Sequence, residues 1–299
     1  MDVFAAIDIG SNAIRTLILK RDNLGNLTVL KKERLSLRLG SDVFKLGYIT
    51  EEKRYKINEI FVIINDLLVK YRVTKIRACA TSAMREASNG LIIKDQLEKN
   101  TGIKIELIDG DTEAKLIHNA VQSELHLDKK LTVLVDIGGG STEFTISQNG
   151  RLVSCKSFPI GAVRLLNYPN FFELTKAINS QLNEVLKYIK SATQGREIEA
   201  MVGTGGNFRR LAKINRKISG KTFTNYMTLN EVEIVFSELN KLNHDERVKK
   251  FDLSDDRADV IIPAALLIKS IASMLEVKGI YTPKVGLKEG IALSLINEV

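Results

Sequence analysis

Two short segments of this 299-residue chain combine carboxylates, glycines and hydroxyls at loop-like spacing. The sharper is Asp136-Ile137-Gly138-Gly139-Gly140-Ser141-Thr142-Glu143. Glycines at a strand end let the backbone approach a ligand, take positive φ and aim successive N–H groups at an anion. Ser141 and Thr142 add hydroxyl donors, and Asp136 and Glu143 bracket the loop with carboxylates suited to a divalent cation or an oriented water. The second segment, Asp8-Ile9-Gly10-Ser11-Asn12, lies 128 positions earlier and repeats Asp-Ile-Gly without change. A third turn, Gly203-Thr204-Gly205-Gly206, follows a strand-like run and opens a helix, where a phosphate or ribose can bind. It lacks the spacing of a dinucleotide fingerprint. Asn215–Thr222 is half a P-loop, with Asn215 where the first glycine is required.

The elements that must position these residues are legible. Strand-like runs Val3–Ile9 and Ile14–Lys20 flank the first turn, and Leu27–Leu30 reads as a third strand. Thr50 caps a helix whose apolar stripe runs through Ile57, Ile60, Phe61, Ile64, Leu67, Leu68 and Tyr71. A strand at Lys75–Ala80, a helix near Leu91–Asn100, a strand at Lys104–Ile108 and a helix at Thr112–Leu125 follow. At Leu131 the pattern restarts: strands Leu131–Asp136 and Thr142–Ser147, the hairpin turn Asn149-Gly150, then strand Leu152–Phe158. Helix Phe171–Ala192, strand Ile198–Val202 and several helices complete it. Alternating strands and helices predict a layered α/β fold. The restart predicts two similar domains, 1–124 and 125–299, whose turns face one another across a cleft.

Composition narrows the class. Hydrophobic residues are 44% and charged residues 27%, near globular averages, which excludes disorder. Two cysteines, Cys79 and Cys155, and three histidines leave no disulfide framework and no Cys/His metal centre; the cysteines read as small apolar residues in a reducing compartment. His118 and His126 read as surface or packing residues. The opening Met1-Asp2-Val3 lacks a basic leader, and the two most apolar stretches are interrupted by polar residues. A cytoplasmic protein with no membrane partner is expected. With 44 basic against 36 acidic residues the net charge is +8, a field that attracts anions. Its basic clusters are Lys31, Lys32, Arg34 and Arg38; Lys70, Arg72, Lys75 and Arg77; and Arg209, Arg210, Lys213, Arg216 and Lys217.

Taken together, several segments resemble the exopolyphosphatase/guanosine pentaphosphatase (Ppx/GppA) family. They are Asp8–Asn12, Ala80-Thr81-Ser82-Ala83-Met84-Arg85, Gly110-x-x-Glu113-Ala114, Asp136–Glu143, Pro159–Leu165, Gly203–Gly206 and Arg257-Ala258-Asp259-Val260-Ile261-x-Pro263. They occur in order and span nearly the whole chain, in a short form without the C-terminal helical domains of longer members. The resemblance implies an actin-like, ribonuclease H-like (ASKHA) fold of two domains around an interdomain cleft. Glu113 aligns with the catalytic glutamate that activates water, and Arg85 with a phosphate-contacting arginine. Ser11, Asn12, Gly138, Gly139, Gly140, Ser141, Gly205 and Gly206 fall in the phosphate loops. Asp136, Glu143 and Asp8 are the carboxylates available to Mg2+ or Mn2+. Two positions depart from the family pattern: Thr112, where a second acid is common, and Asn207, where a small hydroxyl residue is usual.

The expected activity is exopolyphosphatase: hydrolysis of the terminal phosphoanhydride of inorganic polyphosphate, releasing orthophosphate. The alternatives are 5′-phosphohydrolysis of guanosine pentaphosphate and a non-catalytic sensor of guanosine penta- or tetraphosphate. Retention of Glu113 argues against the sensor. Nucleic acid is not an expected partner; a homodimer is compatible with the sequence, which does not fix the oligomeric state. Arg209, Lys213 and Arg216 share a helix face and are expected to track a polyanion.

Overall fold

The computed structural model describes residues 2–125, 130–222 and 225–297; His126 lies outside them. It divides into two compact units, Met1–Ala120 with Gly286–Val299, and Val121–Val285.

The first unit opens with an antiparallel meander, β1 (Asp2–Ile9), β2 (Ala13–Arg21) and β3 (Leu27–Ser36). Then come α1 (Leu39–Leu46), α2 (Glu51–Lys70), β4 (Lys75–Ala80), α3 (Ser82–Glu86), α4 (Gly90–Thr101), β5 (Ile105–Leu107) and α5 (Gly110–Glu124). The sheet order is β3-β2-β1-β4-β5, with β4 parallel to β1 and β5 parallel to β4. Helix α2 forms as its sequence predicts. The Thr50 side chain accepts from the Lys53 N–H, Glu51 and Glu52 lie in the first turn, and Lys70 lies in the last. Its stripe of Ile57, Ile60, Phe61, Ile64 and Leu68 enters a core with Ile7, Ile9, Ile18 and Leu97.

The second unit repeats the plan with β6 (Leu131–Ile137), β7 (Thr142–Gln148) and β8 (Arg151–Phe158), followed by a 3-10 turn at Arg164–Asn167. The rest is α6 (Phe171–Thr193), β9 (Ala200–Thr204), α7 (Gly205–Ser219), β10 (Tyr226–Thr228), α8 (Leu229–Asn240), α9 (His244–Phe251), α10 (Asp255–Met274) and β11 (Gly279–Tyr281). Its sheet order is β10-β11-β9-β6-β7-β8. The run β8-β7-β6-β9-β11 thus matches β3-β2-β1-β4-β5, and the 128-residue repeat seen in the sequence is a duplicated sheet. All seven residues of β6 are buried, as befits a central strand covered on both faces. Among the described residues no helix is long and apolar enough to cross a membrane.

Besides α1, α3, β10 and β11, which the sequence did not foretell, two elements depart from their expected place or extent. The last helix, α11 (Leu287–Asn297), does not stay with residues 125–285 but joins the first unit against β1, β2 and β4. Arg77 helps hold it, forking onto Glu106 at 2.9 Å and donating to the Ser294 hydroxyl at 2.6 Å. The other difference is β3, which runs on through Lys31, Lys32, Glu33 and Arg34. It is an edge strand with none of its residues fully buried, so charged residues there cost little, and they mask the strand in the sequence.

Gly290 marks how closely α11 is seated: a Cβ there would come 2.1 Å from the Leu116 carbonyl oxygen on α5. Replacing Gly290→Ala must push the helices apart, and the expected loss is about 1–3 kcal/mol, typical of overpacking. A chemical denaturation midpoint equal to that of wild type would contradict this seating.

Candidate active site

Register places the chemistry of the second unit. Asp136 on β6 is opposite Glu143 on β7 and beside Thr204 on β9; Glu143 in turn is opposite Ser157 on β8. Residues paired across strands project from the same face, so Thr204, Asp136, Glu143 and Ser157 form one row across four strands. A carboxylate oxygen of Asp136 and one of Glu143 lie within 4.8 Å of each other. Both acids are buried, at 8% and 2% exposure. The Thr204 hydroxyl donates to Asp136 Oδ1 at 2.7 Å, and the Ser157 hydroxyl donates to Glu143 Oε1 at 2.8 Å.

The loop between β6 and β7 is held from behind. The Gly138 N–H donates to the Ser141 carbonyl at 2.9 Å, and the N–H groups of Val163 and Arg164 donate to the Gly139 carbonyl at 2.9 and 3.0 Å. Arg164 Nε adds a 2.8 Å bond to the Gly140 carbonyl. The expected positive φ is absent from Gly138, Gly139 and Gly140. Close approach requires glycine at the neighbouring Gly161, where a Cβ would stand 2.5 Å from backbone atoms of Gly139 and Gly140. Positive φ appears at Gly205, at +85°, where α7 starts and a Cβ would come 2.5 Å from Asp136 Oδ1. Gly206 follows in the same first turn.

In the first unit the equivalent row reads differently. Asp8 is opposite Arg15, Arg15 is opposite Arg34, and Asp8 lies beside Cys79. Asp8, expected as a metal ligand, is instead buried in an ion pair with Arg15 at 2.9 Å. Arg15 stands 128 positions before Glu143, so the repeat puts a cation where the second unit has an acid. Burial pushes the Cys79 thiol up to about 12, which makes it the inert packing residue its sequence suggests.

Ser11 and Asn12 are pinned by their neighbours. The Asn12 carbonyl accepts from Leu37 and Arg38 N–H groups at 3.2 and 3.0 Å, and the Ser11 and Ser82 hydroxyls are 2.9 Å apart. Arg85, on α3 beside Ser82, donates Nη1 to the Ile108 carbonyl at 2.6 Å. Ile108 precedes Asp109, whose carboxylate accepts from the Thr112 N–H at 2.8 Å and starts α5. The Thr112 hydroxyl, together with that N–H, holds the Asp109 carboxyl below its ordinary range. Glu113 is the fourth residue of α5 and 5% exposed. Ser11, Arg85 and the lead-in to Glu113 are therefore one connected segment of the first unit. His118, further along α5, is buried, and burial lowers its pKa.

Over residues 17–299 the sequence matches the model of the Ppx/GppA phosphatase family. The chain belongs to this family. A guanosine-5′-triphosphate,3′-diphosphate pyrophosphatase of Pseudoalteromonas translucida is 25% identical over 305 residues, covering all of this chain and 60% of the relative. A bifunctional 3-dehydroquinate synthase/phosphatase of Fusobacterium nucleatum is 30% identical over 287 residues, covering 89% of this chain and 42% of the relative. The chain thus spans only part of the length of these two. Exopolyphosphatase 1 of Mycobacterium tuberculosis is 23% identical, with 97% of this chain and 87% of the relative covered. Among solved structures, an exopolyphosphatase from Cytophaga hutchinsonii superimposes with a TM-score of 0.92 at 26% identity, covering 100% of this chain and 99% of that one. A Ppx/GppA family member from Aquifex aeolicus gives 0.80 at 24% identity, covering 99% and 98%.

Within the Ppx/GppA pattern, the departure at Asn207 has a structural use: its amide donates to the Ile137 carbonyl at 2.9 Å, tying α7 to the end of β6. The basic face of α7 is engaged as well. Arg209 donates to the Lys284 carbonyl at 2.9 Å, Lys213 pairs with Asp252 at 3.3 Å, and Lys217 donates to the Lys250 carbonyl at 2.5 Å. Asp252 caps the C-terminus of α9 at φ 53°. Lys213 and Lys217 thus place positive charge at the negative end of that helix, a role that sequence reasoning missed.

Gly205→Ala tests the geometry around Asp136. A side chain at φ +85° costs about 1–3 kcal/mol, and its Cβ displaces Asp136 Oδ1. Stability in urea and phosphatase turnover should both fall; a variant unchanged in both would show that this contact does not constrain the carboxylate.

Proposed function

We propose that this chain is a divalent-cation-dependent exopolyphosphatase that removes terminal orthophosphate from inorganic polyphosphate. The observation that carries the reading is the row in the second unit. Two buried carboxylates stand side by side and are bonded by neutral hydroxyls. Such a pair fits a hard cation with oxygen ligands, which points to Mg2+ or Mn2+ at Asp136 and Glu143. The cation, when bound, would neutralise phosphate charge. Asp8 has its own cation in Arg15 and is assigned no ligand role.

The chain's own groups supply the rest. Backbone N–H groups around Gly138–Ser141, the hydroxyls of Ser141 and Ser11, Asn12, the start of α7 at Gly205 and Gly206, and the planar fork of Arg85 hold the phosphate. Glu113 takes a proton from water as the water oxygen attacks the terminal phosphorus. The bond from that phosphorus to the bridging oxygen breaks, releasing orthophosphate and a chain one unit shorter. Polyphosphate is favoured over guanosine pentaphosphate by the Cytophaga exopolyphosphatase, a relative matched over almost its whole length, and by the net charge of +8.

With Mg2+ present, phosphate release from long polyphosphate should exceed release from guanosine pentaphosphate in parallel assays. The reverse order would overturn the substrate assignment and favour the nucleotide. Glu113→Gln should lower turnover about 10²–10⁴-fold while preserving the fold, the range for losing a general base. Turnover within about threefold of wild type would remove Glu113 from that role.

Metal removal gives a separate check. Excess chelator should abolish phosphate release, and added Mg2+ or Mn2+ should restore it. Full activity in chelator, or restoration by zinc alone, would contradict an all-oxygen site.

A further inference from the structure

We infer that Ser157 and Thr204 are positioning residues that fix the two carboxylates for the cation; this rests on the metal reading of Asp136 and Glu143. Ser157 lies outside every segment the sequence flagged, and Thr204 lies in the third glycine turn without a role of its own; register identifies both. Thr204 adjoins Asp136 through the parallel pairing of β9 and β6, and Ser157 opposes Glu143 through the antiparallel pairing of β8 and β7. The row therefore has a hydroxyl at each end and an acid at each inner position. Each hydroxyl commits one oxygen of its neighbour: Thr204 holds Asp136 Oδ1 at 2.7 Å, and Ser157 holds Glu143 Oε1 at 2.8 Å. Thr204 is fully buried and Ser157 half-buried, so the first bond is closed to water and the second is partly shielded.

The chemistry of the donors is the decisive point. A hydroxyl orients a carboxylate without cancelling its charge, whereas a guanidinium does both. The duplicated row of the first unit supplies the contrast. There Arg34 holds the place of Ser157, Arg15 that of Glu143 and Cys79 that of Thr204, and Asp8 is neutralised at 2.9 Å. The same sheet position thus carries an acid–guanidinium ion pair in one unit and two hydroxyl-bonded carboxylates in the other. Fixing one oxygen of each acid sets the rotation of both carboxyl planes, which sets the direction from which a cation is bound.

The test measures metal binding by the full chain, separately from turnover. Mn2+ is titrated into wild type, Glu143→Gln, Ser157→Ala, Ser157→Thr, Thr204→Val and Thr204→Ser, with free Mn2+ read by electron paramagnetic resonance. Ser157→Ala and Thr204→Val should each weaken Mn2+ about 10–100-fold, the usual effect of removing a hydrogen-bond partner behind a metal ligand. Ser157→Thr and Thr204→Ser, which keep the hydroxyl, should recover binding to within about threefold of wild type. Thr204→Val preserves shape, so a Ser157→Ala variant that folds poorly leaves the second arm decisive. If wild type binds Mn2+ no better than Glu143→Gln, the metal reading itself fails. If wild type binds and the hydroxyl-deleted variants bind as tightly, the positioning role is overturned.

Discussion

Two carboxylates placed opposite each other on neighbouring buried strands constrain the second unit more than any other feature. Their carboxylate oxygens come within 4.8 Å, where repulsion at an effective dielectric of about 20 amounts to about 3 kcal/mol. Separating them by register is not open to the sheet, because β6 and β7 are buried and a one-residue slip would invert every side chain on both faces. Orientation, a shared proton or a counter-ion are the remaining ways to accommodate the pair. The surroundings serve orientation: hydroxyls at both ends of the row, Gly205 at positive φ so that no Cβ crowds Asp136, and a loop braced by Val163 and Arg164.

The duplication shows how one backbone plan yields two electrostatic outcomes. In both units a strand enters from the core, turns through glycine and returns antiparallel, and a parallel strand flanks the first. The first unit closes its row by pairing Asp8 with Arg15, and connects its loop through Ser11, Ser82 and Arg85 to the start of α5. A charge already matched within its own unit has little to offer a cation. The first-unit acid proposed above as the base is on the helix instead, at Glu113, and in that reading the division of labour follows from which carboxylates the local sequence neutralises.

Much of this was legible in the residues. The repeated Asp-Ile-Gly fixed two equivalent turns, and the α2 stripe, the Asn149-Gly150 hairpin and the strand–helix alternation fixed their neighbours. The Arg15–Asp8 pair was available in principle, since the same offset of 128 that aligns the turns sets Arg15 against Glu143. Features that depend on tertiary partners were not legible. Helix α11 is apolar around much of its surface, with Leu287, Ile291, Ala292 and Leu295 buried, and such a pattern does not say which sheet it covers. Close approaches at Gly161 and Gly290 look like any other glycine until the opposing backbone is in place. The basic run after Gly206 advertised a polyanion, while its partners at Lys250, Asp252 and Lys284 lie 33 to 75 residues away.

The choice between hydroxyl and guanidinium neighbours explains why the glycine-rich loop alone does not define a phosphate site of this kind. Backbone N–H groups favour any anion, including the chain's own carboxylates, and a loop flanked by Asp136 and Glu143 without a cation would repel a polyphosphate end. Placing neutral donors beside those acids leaves their charge intact, so that affinity for the anionic substrate becomes conditional on the metal. Arginine beside either acid would remove that condition by neutralising it, as Arg15, at the place of Glu143, does for Asp8. On the metal reading proposed for Asp136 and Glu143, dependence on the cation is written less in the acids than in the uncharged side chains next to them.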